Sequence, residues 1–127
     1  MIKQAIIPLA GLGTRLLPLT SVFAKELLPI NGKPGIQYIL DECIDAGVKE
    51  IIFIISEKKE MIKKYFNNDK FYKSIIKKKK NPRIIDEYRK ILKYKKMIKF
   101  VYQNKPRGTG DAVLKTKNLI KDNFFLM

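Results

Sequence analysis

A nearly continuous apolar run, Ala5-Ile6-Ile7-Pro8-Leu9, breaks into the small turn Ala10-Gly11-Leu12-Gly13-Thr14. This junction constrains the chain more than any other stretch. A run that is apolar at every position buries both faces of a strand, the pattern of a parallel sheet covered by helices on both sides. Gly11 and Gly13 admit positive φ and let another group come close to the main chain. A strand ending in such a turn presents backbone N–H groups to whatever sits above the sheet. Arg15 follows at once and Lys25 lies ten residues on. The visitor is therefore expected to be an anion.

The rest of the chain narrows the choice. Its 127 residues make one domain or part of a larger one. A hydrophobic content of 46% suits a packed core rather than disorder. No run approaches the roughly 18 apolar residues of a membrane span. The start, MIKQAII, lacks the long apolar stretch and cleavage site of a signal peptide. With a single cysteine, Cys43, no internal disulfide can form, which fits a reducing, cytoplasmic setting. Cys43 sits in an apolar helical pattern and is expected to be buried filler. Histidine is absent, so His-based triads and HExxH sites are excluded within this chain.

The net charge of +15 invites a nucleic-acid reading. Its distribution argues for caution, with a basic nucleic-acid-binding surface over residues 58–99 kept as a rival reading. Residues 1–57 carry five Lys+Arg and six Asp+Glu, residues 58–99 carry seventeen and four, and residues 100–127 carry five and two. The excess, +13 of it, lies in one lysine-rich stretch. That is the pattern of solvated helix faces and biased coding, and no interleaved aromatic platform accompanies it.

Periodicity gives the element order. A first strand over residues 3–9, fraying at Pro8, leads into the glycine turn. Pro18 and Pro29 keep Leu16 to Lys25 a structured loop with at most a short helical turn. Glu26 to Ile30 reads as a short extended piece that packs Leu27, Leu28 and Ile30 under the loop. It ends at the tight-turn signal Asn31-Gly32. Pro34 opens a helix to about Ala46, with Ile36, Ile39, Leu40, Cys43 and Ile44 inward, Asp41, Glu42 and Asp45 opposite, and Gly47 as the stop. A second buried strand spans Lys49 to Ile55. Ser56 is placed to cap a helix over about 57–66. Residues 67–97 read as two helical stripes around Pro82, with Lys77 to Lys80 a solvated helix end. A third strand spans Ile98 to Tyr102. A second glycine loop, Asn104-Lys105-Pro106-Arg107-Gly108-Thr109-Gly110, precedes a helix beginning at Asp111. Phe124 to Met127 looks like the opening of a fourth strand cut off in mid-element, the mark of a fragment. Strands alternating with helices imply an α/β fold, a Rossmann-like parallel sheet with flanking helices. Both glycine loops then lie at the carboxyl edge of the sheet, where such folds bind ligands.

Known phosphate-binding patterns fit poorly. Leu16 stands where GxGxxG needs its third glycine, and it also breaks GxxxxGK[ST]. Leu9-Ala10-Gly11-Leu12-Gly13-Thr14-Arg15, Pro18-Leu19-Thr20, Lys25-Glu26-Leu27-Leu28-Pro29 and Lys33-Pro34 instead resemble the signature of sugar-1-phosphate nucleotidylyltransferases. Ile36-Gln37-Tyr38, Asp41-Glu42-Cys43 and Ala46-Gly47 are similar to the bacterial uridylyltransferases that act on UTP and glucose 1-phosphate. Gln103 with Gly108-Thr109-Gly110-Asp111-Ala112-Val113 resembles the family's second nucleotide loop, although many uridylyltransferases have Gly-His-Ala where this chain has Gly-Asp-Ala. The similarity runs from Lys3 to Met127, with a divergent middle.

The resemblance implies that residues 1–127 are the N-terminal, nucleotide-binding part of a nucleotidylyltransferase domain. The implied reaction joins UTP and glucose 1-phosphate into UDP-glucose and pyrophosphate with Mg²⁺ as cofactor. It implies Arg15 and Lys25 as catalytic residues and Ala10, Gly11, Gly13, Thr14, Gln103 and Gly108 as nucleotide-binding ones. Ala10 and Gly11 would meet the base through the main chain, Gln103 would bond the uracil edge, and Gly108 would let the base lie close. The role of Glu26 stays open. The family's magnesium-binding Asp is expected just after Met127, so these residues alone are expected to bind UTP weakly and turn over little. Partners are expected to be the two substrates, without a membrane or nucleic acid; oligomerisation is left open. An inactive sugar-nucleotide binding module and a relative using dTTP remain alternatives.

Overall fold

The computed structural model describes residues 1–105 and 107–127; Pro106, read as part of the second loop, lies outside them. Three strands form one parallel sheet: β1 (Gln4–Pro8), β4 (Glu50–Ile55) and β5 (Ile98–Tyr102), in the order β1-β4-β5. Gln4 pairs with Glu50 and Pro8 with Ile54 on one side of β4, while Ile51 pairs with Ile98 and Ile55 with Tyr102 on the other. The continuous apolar run of β4 has the predicted cause. Ile51 to Ile55 are all fully buried, because both faces of the sheet are covered.

Strand alternation divides the core in two. On one face Ala5, Ile51, Phe53 and Ile55 pack with Ile36, Leu40, Cys43, Ile62, Phe66 and Tyr94. These come from α1 (Gly35–Asp45), α2 (Glu60–Phe66) and α4 (Pro82–Met97). On the other face Ile6, Ile52 and Ile54 pack with Ala112 of α5 (Thr109–Leu114), and Val113, Leu119, Ile120 and Phe125 flank them. Between α2 and α4 lies α3 (Asp69–Lys79). The burial that makes Cys43 filler also pushes its thiol pKa up.

Several local expectations need correction. Lys25–Leu27 is a 3₁₀ turn rather than extended chain, and Ile30 is exposed, not packed under the loop. Extended pairing starts later: β2 (Pro29–Ile30) and β3 (Lys33–Pro34) form a two-residue hairpin across Asn31 and Gly32, both at positive φ. In α1, Asp41 lies half-exposed opposite the apolar stripe as read, and in addition accepts hydrogen bonds from Lys33 and from Tyr94 (2.6 Å). Burial raises the Asp41 pKa, but the Lys33 and Tyr94 bonds outweigh it and hold the carboxyl below its usual range. The end of α1 is as expected. Gly47 takes φ +85, with Val48 N–H donating to the Cys43 carbonyl and Gly47 N–H to that of Ile44. The last helix, which the apolar spacing of Ala112, Val113, Thr116, Leu119 and Ile120 would carry from Asp111 to Asp122-Asn123, spans only Thr109–Leu114. The fourth strand amounts to one parallel bridge, Leu126 against Ala5, at the free edge of β1.

Candidate functional site

The carboxyl ends of β1, β4 and β5 converge. Just beyond them a cleft of about 260 Å³ is lined by Ala10, Gly11, Leu12, Ser56, Glu57, Lys58, Gln103 and Asn104. The lining thus takes one short segment from the end of each strand, as a parallel sheet dictates.

The first loop is shaped by Gly13, which sits in the left-handed region at φ +67. A Cβ there would lie 3.1 Å from Thr20 Cγ2 and 3.5 Å from Lys25 Cδ. The Thr20 hydroxyl donates to the Gly13 carbonyl at 2.7 Å, closing the loop on itself. Thr14–Leu16 then forms a 3₁₀ turn that leaves Thr14 and Arg15 exposed. Lys25, far along the chain, is brought against Gly13 by this folding. Arg15 and Lys25 do not line the cleft; they stand beside its glycine wall. Among the described residues, neither they nor Lys58, Lys105 and Arg107 enter an ion pair.

Glu26 acquires a role that its position in the sequence did not disclose. Both of its carboxylate oxygens accept from Lys59 Nζ, at 2.8 and 2.9 Å, and each side chain is only 6% exposed. The pair ties the 3₁₀ turn after the glycine loop to the turn that follows β4. Ala24 N–H reinforces the joint by donating to Met61 Sδ at 2.9 Å.

On the other side of the cleft Gln103 is buried, and its main-chain N–H donates to the Ile55 carbonyl at 2.8 Å. Its side-chain amide donates to the Gly108 carbonyl (3.2 Å) and to Asp111 Oδ2 (2.9 Å). Gly108, at φ +90, precedes α5 and turns the chain so that its carbonyl reaches back to Gln103. Asn104 Oδ1 accepts from Glu57 N–H at 3.0 Å and joins this wall to the middle segment.

The described site residues of the two loops therefore lie along one edge. Ala10, Gly11 and Gln103 line the cleft directly, while Gly13, Thr14, Arg15, Lys25 and Gly108 flank it. Three residues escaped the sequence reading. Lys59 resembled any other lysine of a basic stretch. Asp111 stands in the second-loop motif as a departure from Gly-His-Ala, and its bond to Gln103 has no signal in the sequence. Ser56 was assigned a helix cap, but its side chain makes no cap bond. Its hydroxyl is buried, has no partner and lines the cleft. A buried hydroxyl without a partner is costly unless a ligand or water satisfies it.

A larger hollow of about 950 Å³ lies elsewhere, between α1 and the α3–α4 layer. Its walls include the Lys33–Asp41–Tyr94 network and Tyr65, whose hydroxyl accepts from Gln37 Nε2 at 3.0 Å. Burial pushes the Tyr65 phenol up to about 12, and burial together with Asp41 raises that of Tyr94. Neither phenol titrates near neutrality, so these two tyrosines serve the hollow by packing and hydrogen bonding.

The acidic groups at the edge do not assemble a cation site. Among the described residues no three Asp, Glu, Cys or His side chains come together to hold a metal. Glu26 is committed to Lys59 and one Asp111 oxygen to Gln103. The arrangement suits a polyanion held by main-chain N–H groups and free cations, with a flat polar group lodged between Gly11 and Gln103.

Comparison with known proteins identifies the family and the fold. The family of nucleotidyl transferases matches residues 4–127. The UTP–glucose-1-phosphate uridylyltransferase of Mycoplasma pneumoniae is 41% identical over 124 residues, which is 98% of this chain and 42% of that protein. The Escherichia coli K12 protein of the same name is 37% identical, over 95% of this chain and 40% of its own length. Among solved structures, a UTP-bound UGPase from Acinetobacter baumannii superposes with a TM-score of 0.89 at 33% identity, covering 98% of this chain and 44% of that one. A UDP-glucose pyrophosphorylase complexed with UDP-glucose gives a TM-score of 0.71 at 32% identity, over 94% and 42%. The chain thus spans about two fifths of the length of the relatives it matches, and the sheet with its flanking helices is the fold they share.

Proposed function

The chain belongs to the nucleotidyl transferase family, and from that premise we propose that it supplies the UTP-binding part of an enzyme that makes UDP-glucose and pyrophosphate from UTP and glucose 1-phosphate. The observation carrying this reading is the convergence of three strand ends on a cleft with Gly11 on one wall, Gln103 on the other and uncompensated cations alongside. Its chemistry requires no covalent enzyme intermediate. A phosphate oxygen of glucose 1-phosphate forms a bond to the α-phosphorus of UTP, the bond to the β-phosphate oxygen breaks, and pyrophosphate leaves in line.

Positioning and charge stabilisation then do most of the work. The uracil would lie against Ala10 and Gly11 and bond Gln103, with Gly108 giving it room. Gly13 and Thr14 would offer main-chain N–H groups to the phosphates. Arg15 would supply a planar, permanently charged fork and Lys25 a point charge, which together oppose the negative charge growing at the α-phosphate. Mg²⁺, which would neutralise phosphate charge, belongs to the same proposal, with ligands other than the described carboxylates. A cytoplasmic setting follows from the same reading, and no described helix is long and apolar enough to cross a membrane.

Calorimetric titration of the chain with UTP, followed by incubation with UTP and glucose 1-phosphate, tests the reading. Binding of UTP in preference to ATP is expected, with little or no UDP-glucose formed by these 127 residues alone. Indifference between the two nucleotides would remove the reading. A dTTP-using relative would reveal itself by binding dTTP more tightly than UTP.

A further inference from the structure

We propose that Asp111 is a positioning residue that sets which end of the Gln103 amide faces the bound base, and so determines which pyrimidine edge the cleft accepts. The inference rests on the UTP reading above and adds to it a cause of base selection.

The Gln103 side chain has two N–H donors and one carbonyl acceptor. Both donors are engaged, one by the Gly108 carbonyl at 3.2 Å and the other by Asp111 Oδ2 at 2.9 Å. The main-chain carbonyl of Gly108 can only accept, and so can an aspartate carboxylate. Rotating the amide by half a turn would bring its oxygen against two acceptors at once, so the chemistry of the partners fixes the orientation. Burial of Gln103 and the anchoring of its N–H on Ile55 leave the side chain little room to escape. Oε1 has no hydrogen bond among the described residues, and Gln103 lines the cleft. What the cleft receives from Gln103 is therefore an acceptor.

An acceptor here asks for an N–H. Uracil has one on its pairing edge, at N3. Cytosine in the same seat presents a lone pair at N3, which Oε1 repels. Gly108 alone would not enforce this, because one carbonyl contact is readily replaced by water at an exposed glycine. The carboxylate of Asp111 makes the choice firm, since a charged acceptor forms the stronger bond with the amide N–H.

The test is titration of the chain with UTP, CTP and N3-methyl-UTP, each for wild type, Asp111→Asn and Asp111→Ala, with thermal melting run alongside. Wild type is expected to bind UTP about tenfold or more tighter than either analogue, the scale of one hydrogen bond lost against an unpaired acceptor. Asp111→Asn can accept or donate, which frees the amide to turn, so the UTP-to-CTP ratio should fall to about threefold or less with the melting point little changed. Asp111→Ala should act in the same direction. A ratio unchanged in both variants would overturn the role of Asp111 while leaving the UTP reading intact. Equal weakening toward all three ligands would also overturn it, by reducing Asp111 to a structural residue. Wild-type indifference between UTP and N3-methyl-UTP, which needs no variant, would overturn the orientation of Gln103. Wild-type indifference between UTP and CTP would overturn the UTP reading and this inference together.

Discussion

Two regions of the molecule compete for attention, and they differ in what their charges are doing. The α3–α4 layer and its flanks carry most of the positive charge and a hollow larger than the strand-end cleft. Several of its cations are already compensated: Lys95 with Asp69 at 2.8 Å, and Arg89 with Asp86 and Lys90 with Glu87 at 3.8 Å. Its aromatic rings are engaged with each other, Tyr72 stacked on Tyr88 at 5.0 Å. The carboxyl edge of the sheet carries far less charge, yet Arg15, Lys25 and Lys58 have no ion-pair partner among the described residues, and Ser56 has an unsatisfied hydroxyl. Among the described residues the helix layer also holds cations without an ion-pair partner, Lys77 to Lys80 among them, so charge alone does not locate a binding site; the convergence of three strand ends on a polar cleft does.

The largest effect expected at the edge concerns its foundation. Glu26→Ala leaves Lys59 buried without a partner, which should destabilise the fold by about 3–5 kcal/mol, seen as a lower denaturant midpoint. An equivalent loss from Asp86→Ala in the helix layer would erase the contrast, since that pair is exposed and worth little. Next is Arg15→Ala, which should lower turnover of an active nucleotidyl transferase containing this chain by about 10² or more, the scale of removing one charge-stabilising donor. Lys78→Ala, on the exposed end of α3, should leave turnover unchanged. Equal effects of the two substitutions, measured as initial rates of pyrophosphate release, would break the comparison.

Such pairings mark where the sequence stops being legible. β4 could be read because five consecutive buried residues carry their own signal, and α1 because its stripe and Gly47 stop are local. The glycine edge could be read because Gly11, Gly13 and Arg15 are neighbours in the chain. The Lys59–Glu26 pair could not, because it joins residues that only the folded sheet brings together, and the Asp111–Gln103 bond could not, because it depends on how the second loop turns back at Gly108. Ser56 misled for a related reason. A serine before a helix is usually its cap, and only the three-strand convergence reveals that its hydroxyl belongs to a cleft. The hairpin at Asn31-Gly32 gave a turn signal but not its strands, which are two residues each and too short for any periodicity.

A smaller effect sharpens the geometry of the first loop. Gly13→Ala forces a side chain into left-handed backbone 3.1 Å from Thr20 Cγ2, at about 1–2 kcal/mol. UTP affinity should fall with it, and an unchanged melting curve and affinity would show that the loop adapts freely. The smallest effect lies at the opposite edge of the sheet. Burial raises the Glu50 pKa, but hydrogen bonds from Lys99, Gln4 and Lys121 outweigh it, so the carboxyl stays below its usual 4.5. A depressed carboxyl stabilises the fold above its unfolded value and loses that contribution as pH falls through the folded one. Its lysine partners are substantially exposed, so the amount is about 1 kcal/mol or less. Acid melting should steepen below about pH 4.5, and Glu50→Gln should flatten that part of the profile.

The central claim is that the polyanion binds where three strand ends converge rather than where charges are most numerous. Amide chemical-shift mapping of the labelled chain during a UTP titration tests it most directly. The expected result is movement of Ala10 to Arg15, Ser56 to Lys58 and Gln103 to Asp111 (Pro106 has no amide proton), with residues 69–97 unmoved. Shifts concentrated in residues 69–97, with the glycine edge silent, would contradict it.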